Sequence, residues 1–394
     1  MPIADRMIAR VAAFAVVKDM FEEGRRLKAE FGADHVYDFS LGNPDAPPPA
    51  ELRRALREIA AAESLDHGYA PVTGHLHVRQ ALARRLEREH GLAIPADLIL
   101  MTVGAAGALN DILRALMDPG EEFVTPAPYF LGYESYAFLA DAALIAAPTD
   151  PRFHLDVAAI DKALTFKTRV ILINSPNNPS GAVYTAAELS DLSELLHRAS
   201  ARFGKRIYLL ADEPYRRIAY DVEVPSVFAA YPHSIVVNSF SKELSLAGER
   251  IGYLAVHPEA EDAAQILAAA AAVNSASVVN APSLFQQVAA RVLGAGVDVS
   301  AYRRRRDLMA GVLEDAGYEF TLPEGAFYLF PKSPIADDVR FTQLLKAERV
   351  LVSPGRAFGA PGYFRISYAV PEAIITGSRD GFRRALLNAH RERP

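Results

Sequence analysis

The 394-residue sequence contains no cysteine. That absence excludes disulfide scaffolds, cysteine-ligated metals and thiol nucleophiles together, and it fits a protein of the cytoplasm. Also missing is any run of the roughly 18–20 continuous apolar residues that a membrane span requires, and the alanine-rich stretch 263–273 is too short. The apolar stretch 3–17 is broken by Asp5, Arg6 and Arg10, a pattern for an amphipathic helix and not for a signal peptide. Positive charge is not in excess: the net charge is −6, so neither nucleic acid nor a membrane surface is expected as a partner. The one basic cluster, Arg303 to Arg306, reads as the solvated face of a helix. No internal repeat, low-complexity segment or metal site is expected.

What is present is enough apolar material for two cores, 51% of the residues, in a chain longer than the roughly 250–300 residues at which single cores stop growing. From Ala50 to about His257 helical patterns alternate with short β-rich runs at 98–103, 122–125, 143–147, 170–174, 207–211, 235–238 and 252–256. Most are unbroken Val, Ile, Leu and Ala without alternation, as strands covered on both faces should be. The reading is an α/β fold with a mainly parallel, seven-stranded sheet in a large domain at 46–290. Residues 1–45 and 291–394 are expected to form a smaller α+β domain. Its strands are read at 323–330 and 364–367, and the prolines at 47–49 mark one crossing.

In open α/β sheets ligands bind beyond the carboxyl ends of the strands. Here those positions are polar: Gly104, Asn174, Asp212 and Ser239 to Lys242 each close or follow an apolar run. A lysine in a serine-rich turn is, alone, usually a surface lysine. The spacing of Ser239-Phe240-Ser241-Lys242 to Gly248, Arg250 and Gly252 adds two hydroxyls and a guanidinium, a set suited to a dianionic phosphate beside an amine. An amine held there can form a Schiff base with a bound aldehyde.

With these residues the chain resembles the fold type I aminotransferases of classes I and II, which use pyridoxal 5'-phosphate (PLP), over nearly its whole length. The resemblance implies that Lys242 carries PLP. Asp212, in Ala211-Asp212-Glu213-Pro214-Tyr215, matches the carboxylate that keeps the pyridine nitrogen protonated, and Tyr215 matches the residue hydrogen-bonded to the ring oxygen. The segment from Asn174 to Gly181 has the composition of an ordinary turn. Within the resemblance its Asn178 contacts the same ring oxygen, and Ser180 stands where threonine is usual. Gly104 to Leu109 resembles the phosphate loop, with Ala105 and Ala106 as backbone donors. Hydroxyls common there are missing, which shifts phosphate binding onto Ser239, Ser241 and Arg250.

Phe130, in Pro128-Tyr129-Phe130, is either a core aromatic or, by resemblance, the ring laid against the pyridine. Tyr69 and Asn280 match residues contributed across a homodimer interface. Arg365, on the apolar segment Tyr363 to Ser367, matches the arginine that binds the α-carboxylate, with Gly42 offering an N–H to the same group.

The expected activity is ping-pong transfer of an amino group from an α-amino acid to a 2-oxo acid. A PLP lyase, decarboxylase or synthase, or an aspartate-specific aminotransferase, are the alternatives. A non-catalytic PLP sensor is disfavoured, because the short segment ahead of this fold leaves no room for a DNA-binding module. Members specific for dicarboxylates carry a second arginine about five residues before the position of Asn280. Ser275 stands there, no arginine lies between Gly252 and Pro282, and Arg356 and Lys18 are the basic residues left to replace it.

Overall fold

The computed structural model describes residues 3–62 and 67–392; within the N-terminal helix, the side chains of residues 9 and 12–21, Lys18 among them, lie outside that description. The chain divides into two units. One holds Asn43–Ser300 and Pro323–Ala326, and the other holds Met1–Gly42, Ala301–Leu322 and Phe327–Pro394.

The larger unit is built on one seven-stranded sheet. In spatial order its strands are Ile99–Thr102, Gly252–Val256, Ser234–Ser239, Tyr208–Asp212, Thr168–Asn174, Glu122–Ala127 and Ala143–Pro148. All run parallel except Gly252–Val256, which is antiparallel to both neighbours. Every apolar run read as a large-sheet strand is one, with ends shifted by a residue or two. The inner strands are buried along their length because helices such as Gly104–Leu116 and Ala186–Phe203 pack on the sheet. Only the edge strand Ala143–Pro148 is largely open.

The register places the polar strand ends level. Asn174 lies beside Asp212, Asp212 beside Val237, and Ser239 beside Gly252, which also faces Thr102. Five neighbouring strands therefore bring one end to the same rim, four by their closing residues and the antiparallel Gly252–Val256 by its first, and Gly104 follows two residues after Thr102.

In the smaller unit Ser353–Pro354, Phe364–Ser367 and Tyr328–Leu329 form a three-stranded sheet, and Tyr37–Asp38 pairs in parallel with Val350–Leu351. The strand expected over 323–330 is shorter than read. Backbone groups of Glu324, Gly325 and Ala326 bond instead to Gly181, Tyr220 and Ile218, which ties this piece to the larger unit. Pro323 and Gly325 are poor strand residues in any case. The arginine run also departs from expectation in part: Arg303 and Arg304 are exposed on the helix Val299–Ala316, but Arg306 is buried and bonds Asp307. Helical spacing sets Arg306 on the face of buried Tyr302 and Met309. Among the described residues no helix is long and apolar enough to cross a membrane, and no cluster of metal-ligating side chains occurs.

Candidate active site

Asp212, 4% exposed, is the most informative residue of the rim. Its Oδ2 accepts a hydrogen bond from the Tyr133 hydroxyl at 2.8 Å, and its backbone carbonyl accepts one from Asn174 Nδ2 at 2.7 Å. Its Oδ1 is buried with no hydrogen-bond partner. Burial pushes the carboxyl up to about 7, against the hydrogen bond from Tyr133 and with help from the Glu213 charge. A buried carboxylate oxygen left bare is costly, by about 1–3 kcal/mol or more. The arrangement is that of an acceptor made for a donor not supplied by the chain, and a cationic N–H would serve best.

Around it the loop after Asn174 is stitched to itself. Asn174 Oδ1 accepts the N–H of Asn178 at 2.6 Å, and Asn177 Oδ1 accepts both the N–H and the hydroxyl of Ser180 at 3.0 and 2.9 Å. Asn178 is buried in a fixed place as a result. Serine at position 180 makes the bond a threonine would make. Gly181, at φ +74°, closes the loop where a Cβ would meet Pro323 and the Gly325 carbonyl.

Lys242 lies in the four-residue helix Phe240–Glu243, directly after the strand Ser234–Ser239. Its Nζ stands 6.0 Å from the centroid of the buried Tyr215 ring, which brings amine and phenol together. Ser239 and Ser241 precede it in the chain and are buried.

Gly104, Gly252 and Arg250 shape a cradle. Gly104 has φ +69°, and a Cβ on it would lie 2.9 Å from Arg250 Nη2. A Cβ on Gly252 would lie 2.8 Å from Gly104 Cα. Only glycines let the helix start and the guanidinium approach this closely. Arg250 is anchored by Nη1 donating to the Ala247 carbonyl at 2.9 Å. Ala105 and Ala106 lie in the first turn of Gly104–Leu116, ahead of Gly107, whose N–H reaches the Val103 carbonyl at 3.3 Å. Helix N-termini of this kind favour anions.

Phe130 is half-buried and meets Tyr133 edge-on, with centroids 5.7 Å apart at 86°. Gly132 permits this, since a Cβ there would run into the Phe130 ring. Tyr133, which both buttresses Phe130 and donates to Asp212, is the residue that sequence reasoning missed. In the sequence it is one more core tyrosine.

Two expected residues stand apart. Tyr69 is 88% exposed, and Asn280 donates from Nδ2 to the Ala281 carbonyl at 2.7 Å and from its backbone N–H to the Val278 carbonyl at 2.9 Å; among the described residues no hydrogen bond ties either to the rim. Ser275 is exposed on the helix Ala263–Ser277.

The smaller unit carries a second arrangement. Arg365 is buried on the strand Phe364–Ser367, with Nη2 donating to the Ser40 carbonyl at 2.7 Å. Its guanidinium stands 4.9 Å from the centroid of the Tyr328 ring and 4.7 Å from that of Phe358, so cation–π contacts hold it in place. Gly42 lies in the same group, and a Cβ there would overlap the Tyr328 hydroxyl. Arg356 is committed elsewhere: its N–H and Nε bond the fully buried Asp338 at 2.7 and 2.8 Å, and Nη2 bonds Asp337 at 3.0 Å.

The family described as aminotransferase class I and II matches residues 34–376. A curated relative, the aspartate/prephenate aminotransferase of Thermus thermophilus, is 34% identical over 363 residues, 89% of this chain and 91% of that protein. The crystal structure of an aminotransferase from Eubacterium rectale superposes with a TM-score of 0.95 at 39% identity, covering 98% of this chain and 99% of that one. The aspartate aminotransferase of Thermus thermophilus with maleate gives a TM-score of 0.87 at 29% identity, over 98% and 100% of the two chains.

Proposed function

The chain belongs to the class I and II aminotransferases, and from that premise we propose that it transfers amino groups with PLP carried on Lys242. The observation that supports this reading best is the bare Oδ1 of Asp212. It is an acceptor suited to a protonated pyridine nitrogen, set in a rim that also offers an amine and an anion cradle.

The residues present fit the cofactor. Asp212 Oδ1 would accept the ring N–H, Tyr215 and Asn178 would bond the ring oxygen, and Phe130 would lie against the ring. The N–H groups of Ala105 and Ala106 with Ser239, Ser241 and Arg250 would hold the phosphate. When bound, PLP supplies an electron sink for the charge that develops at the substrate Cα. The chain's own part is orientation and proton transfer. Arg365, with the N–H of Gly42, takes the α-carboxylate and so fixes the amino acid. The Lys242 amine, freed when the substrate's amino group takes its place, would then remove the proton from Cα. With water supplying the carbonyl oxygen the 2-oxo acid would leave, its amino group kept with PLP until a second oxo acid accepts it, which makes the kinetics ping-pong. Tyr69 and Asn280 are read as contributions to the neighbouring copy in a homodimer. The open Tyr69 ring supports this, and the lack of cysteine supports a cytoplasmic setting.

Incubating the protein with a panel of amino acids and 2-oxoglutarate, read by mass spectrometry, separates amino transfer from lysis or decarboxylation. In the same protein Lys242→Ala is expected to remove both the visible absorbance of bound PLP and turnover. Retention of that band, with borohydride fixing PLP on a different lysine, would end the assignment.

For the substrate, Ser275 and the engagement of Arg356 with Asp338 support a site without a strong preference for aspartate, although relatives are named for it. A bidentate contact of the missing kind gives roughly 10- to 150-fold selectivity. kcat/KM for aspartate is expected within about 100-fold of that for alanine, methionine or phenylalanine. A larger aspartate advantage would overturn this and turn attention to Lys18.

A further inference from the structure

Lys242 sits in a helix of only four residues. Such a helix does not sustain itself, since the first turn forms with an equilibrium factor on the order of 10⁻³. The direction of the Lys242 side chain is therefore set by whatever holds its neighbours. On one side the Phe240 N–H donates to the Ile251 carbonyl at 3.1 Å, and the Phe240 ring is buried against Tyr253 with centroids 5.9 Å apart.

On the other side stands Glu243, 3% exposed. Both its carboxylate oxygens accept hydrogen bonds from Arg85, at 2.7 and 2.6 Å, and its backbone carbonyl accepts the N–H of Val297 at 2.8 Å. Arg85 comes from the helix Leu76–His90 and is itself fixed, with Nε donating to Glu89 at 2.8 Å. The second arginine nearby, Arg217, stands 3.9 Å from Glu243 and is occupied with the Ala295 carbonyl at 2.7 Å.

A forked pair defines direction as well as distance. Successive helical residues point about 100° apart, so a clamp on Glu243 also sets the azimuth of Lys242. A buried ion pair is weak evidence for stability, because apolar residues of similar volume often replace one without loss. Its distinctive effect here is angular.

We propose that Arg85, acting through Glu243, is a positioning residue that presents the Lys242 amine to the rim formed by Asp212 and Tyr215. The proposal rests on the reading of Lys242 as the cofactor-bearing lysine. It assigns Arg85 no contact with substrate or cofactor.

The test uses the full-length protein loaded with PLP, with Lys242→Ala as control and two variants. Arg85→Met combined with Glu243→Met removes both partners of the buried pair and leaves only the part-exposed Glu89 without its arginine, and Arg85→Lys keeps the charge but loses the fork. The double variant is expected to melt within about 5 °C of the parent. Its visible circular dichroism per bound PLP should fall by about half or more, because the chromophore is no longer held at one angle. Turnover should drop about 10-fold or more at nearly constant KM. In the cofactor-free form, acylation of Lys242 followed by peptide mass should change rate in the same variant.

A folded double variant with parental ellipticity, turnover and Lys242 reactivity overturns the proposal. If the double variant does not fold, Arg85→Lys decides: reduced ellipticity supports positioning, and parental ellipticity overturns it. If the parent itself shows no lysine-linked band, or Lys242→Ala keeps one, the failure lies in the reading of Lys242 and the proposal falls with it.

Discussion

Asp212 and Glu213 are neighbours in sequence, both almost fully buried and both pushed up to about 7, in each case chiefly by burial. Their surroundings differ completely. Glu213 is met by Arg216, with Nη1 3.2 Å from each of its oxygens, and His90 Nε2 lies 3.8 Å away, held neutral by burial with a pKa near 3. Asp212 has only the Tyr133 hydroxyl and one oxygen left bare. At Glu213 the chain closes its charge on itself, as the Arg85–Glu243 pair also does. At the rim it leaves one open. The difference separates a carboxylate kept for the fold from one kept for a ligand.

The comparison can be broken from either side. The largest effect is expected from Arg216→Met, which strands Glu213 and removes bonds to the Glu89, Val224 and Pro225 carbonyls. Unfolding in denaturant should show a loss of about 3–5 kcal/mol. Asp212→Asn should do the opposite: stability is kept, PLP is bound, and turnover falls at least about 100-fold, near 2.7 kcal/mol in barrier. If Asp212→Asn melts as low as Arg216→Met, or turns over like the parent, the division of roles is wrong.

A smaller effect sharpens the contrast through pH. Asp212 has its folded pKa raised above its ordinary 3.8, so its contribution to stability is full below that value and is lost as pH rises towards about 7. PLP with a protonated ring nitrogen would supply the missing partner to the ionised form. The gain in melting temperature on adding PLP should therefore be larger at pH 8 than at pH 5, by a few degrees. Lysine linkage to PLP favours high pH as well, so the measurement is made beside Asp212→Asn, in which part of the pH dependence should vanish. An unchanged dependence in that variant would remove Asp212 as its source.

Most of the larger sheet was legible because strands covered on both faces read as unbroken apolar runs, and each rim residue shows as the polar end of such a run. Tyr133 was not legible, since a buried tyrosine gives no local sign of where its hydroxyl points. The Arg85–Glu243 pair joins residues 158 apart, which no local pattern reports. The stretch 323–330 misled for a different reason. Its apolar end does form a strand, while its start spends its backbone on Gly181, Ile218 and Tyr220.

The pairing of Tyr37–Asp38 with Val350–Leu351 bears on how the chain is made. A ribosome adding about 5–20 residues per second reaches the second strand roughly 15–60 s after the first. During that interval the continuous stretch 43–300 can assemble its whole sheet, whereas the first forty residues have no strand to join. The pocket around Arg365 is delayed further, because Ser40, Tyr328, Phe358 and the arginine itself must all have emerged. During synthesis the rim that would hold the cofactor is thus complete before the group that would choose the substrate exists.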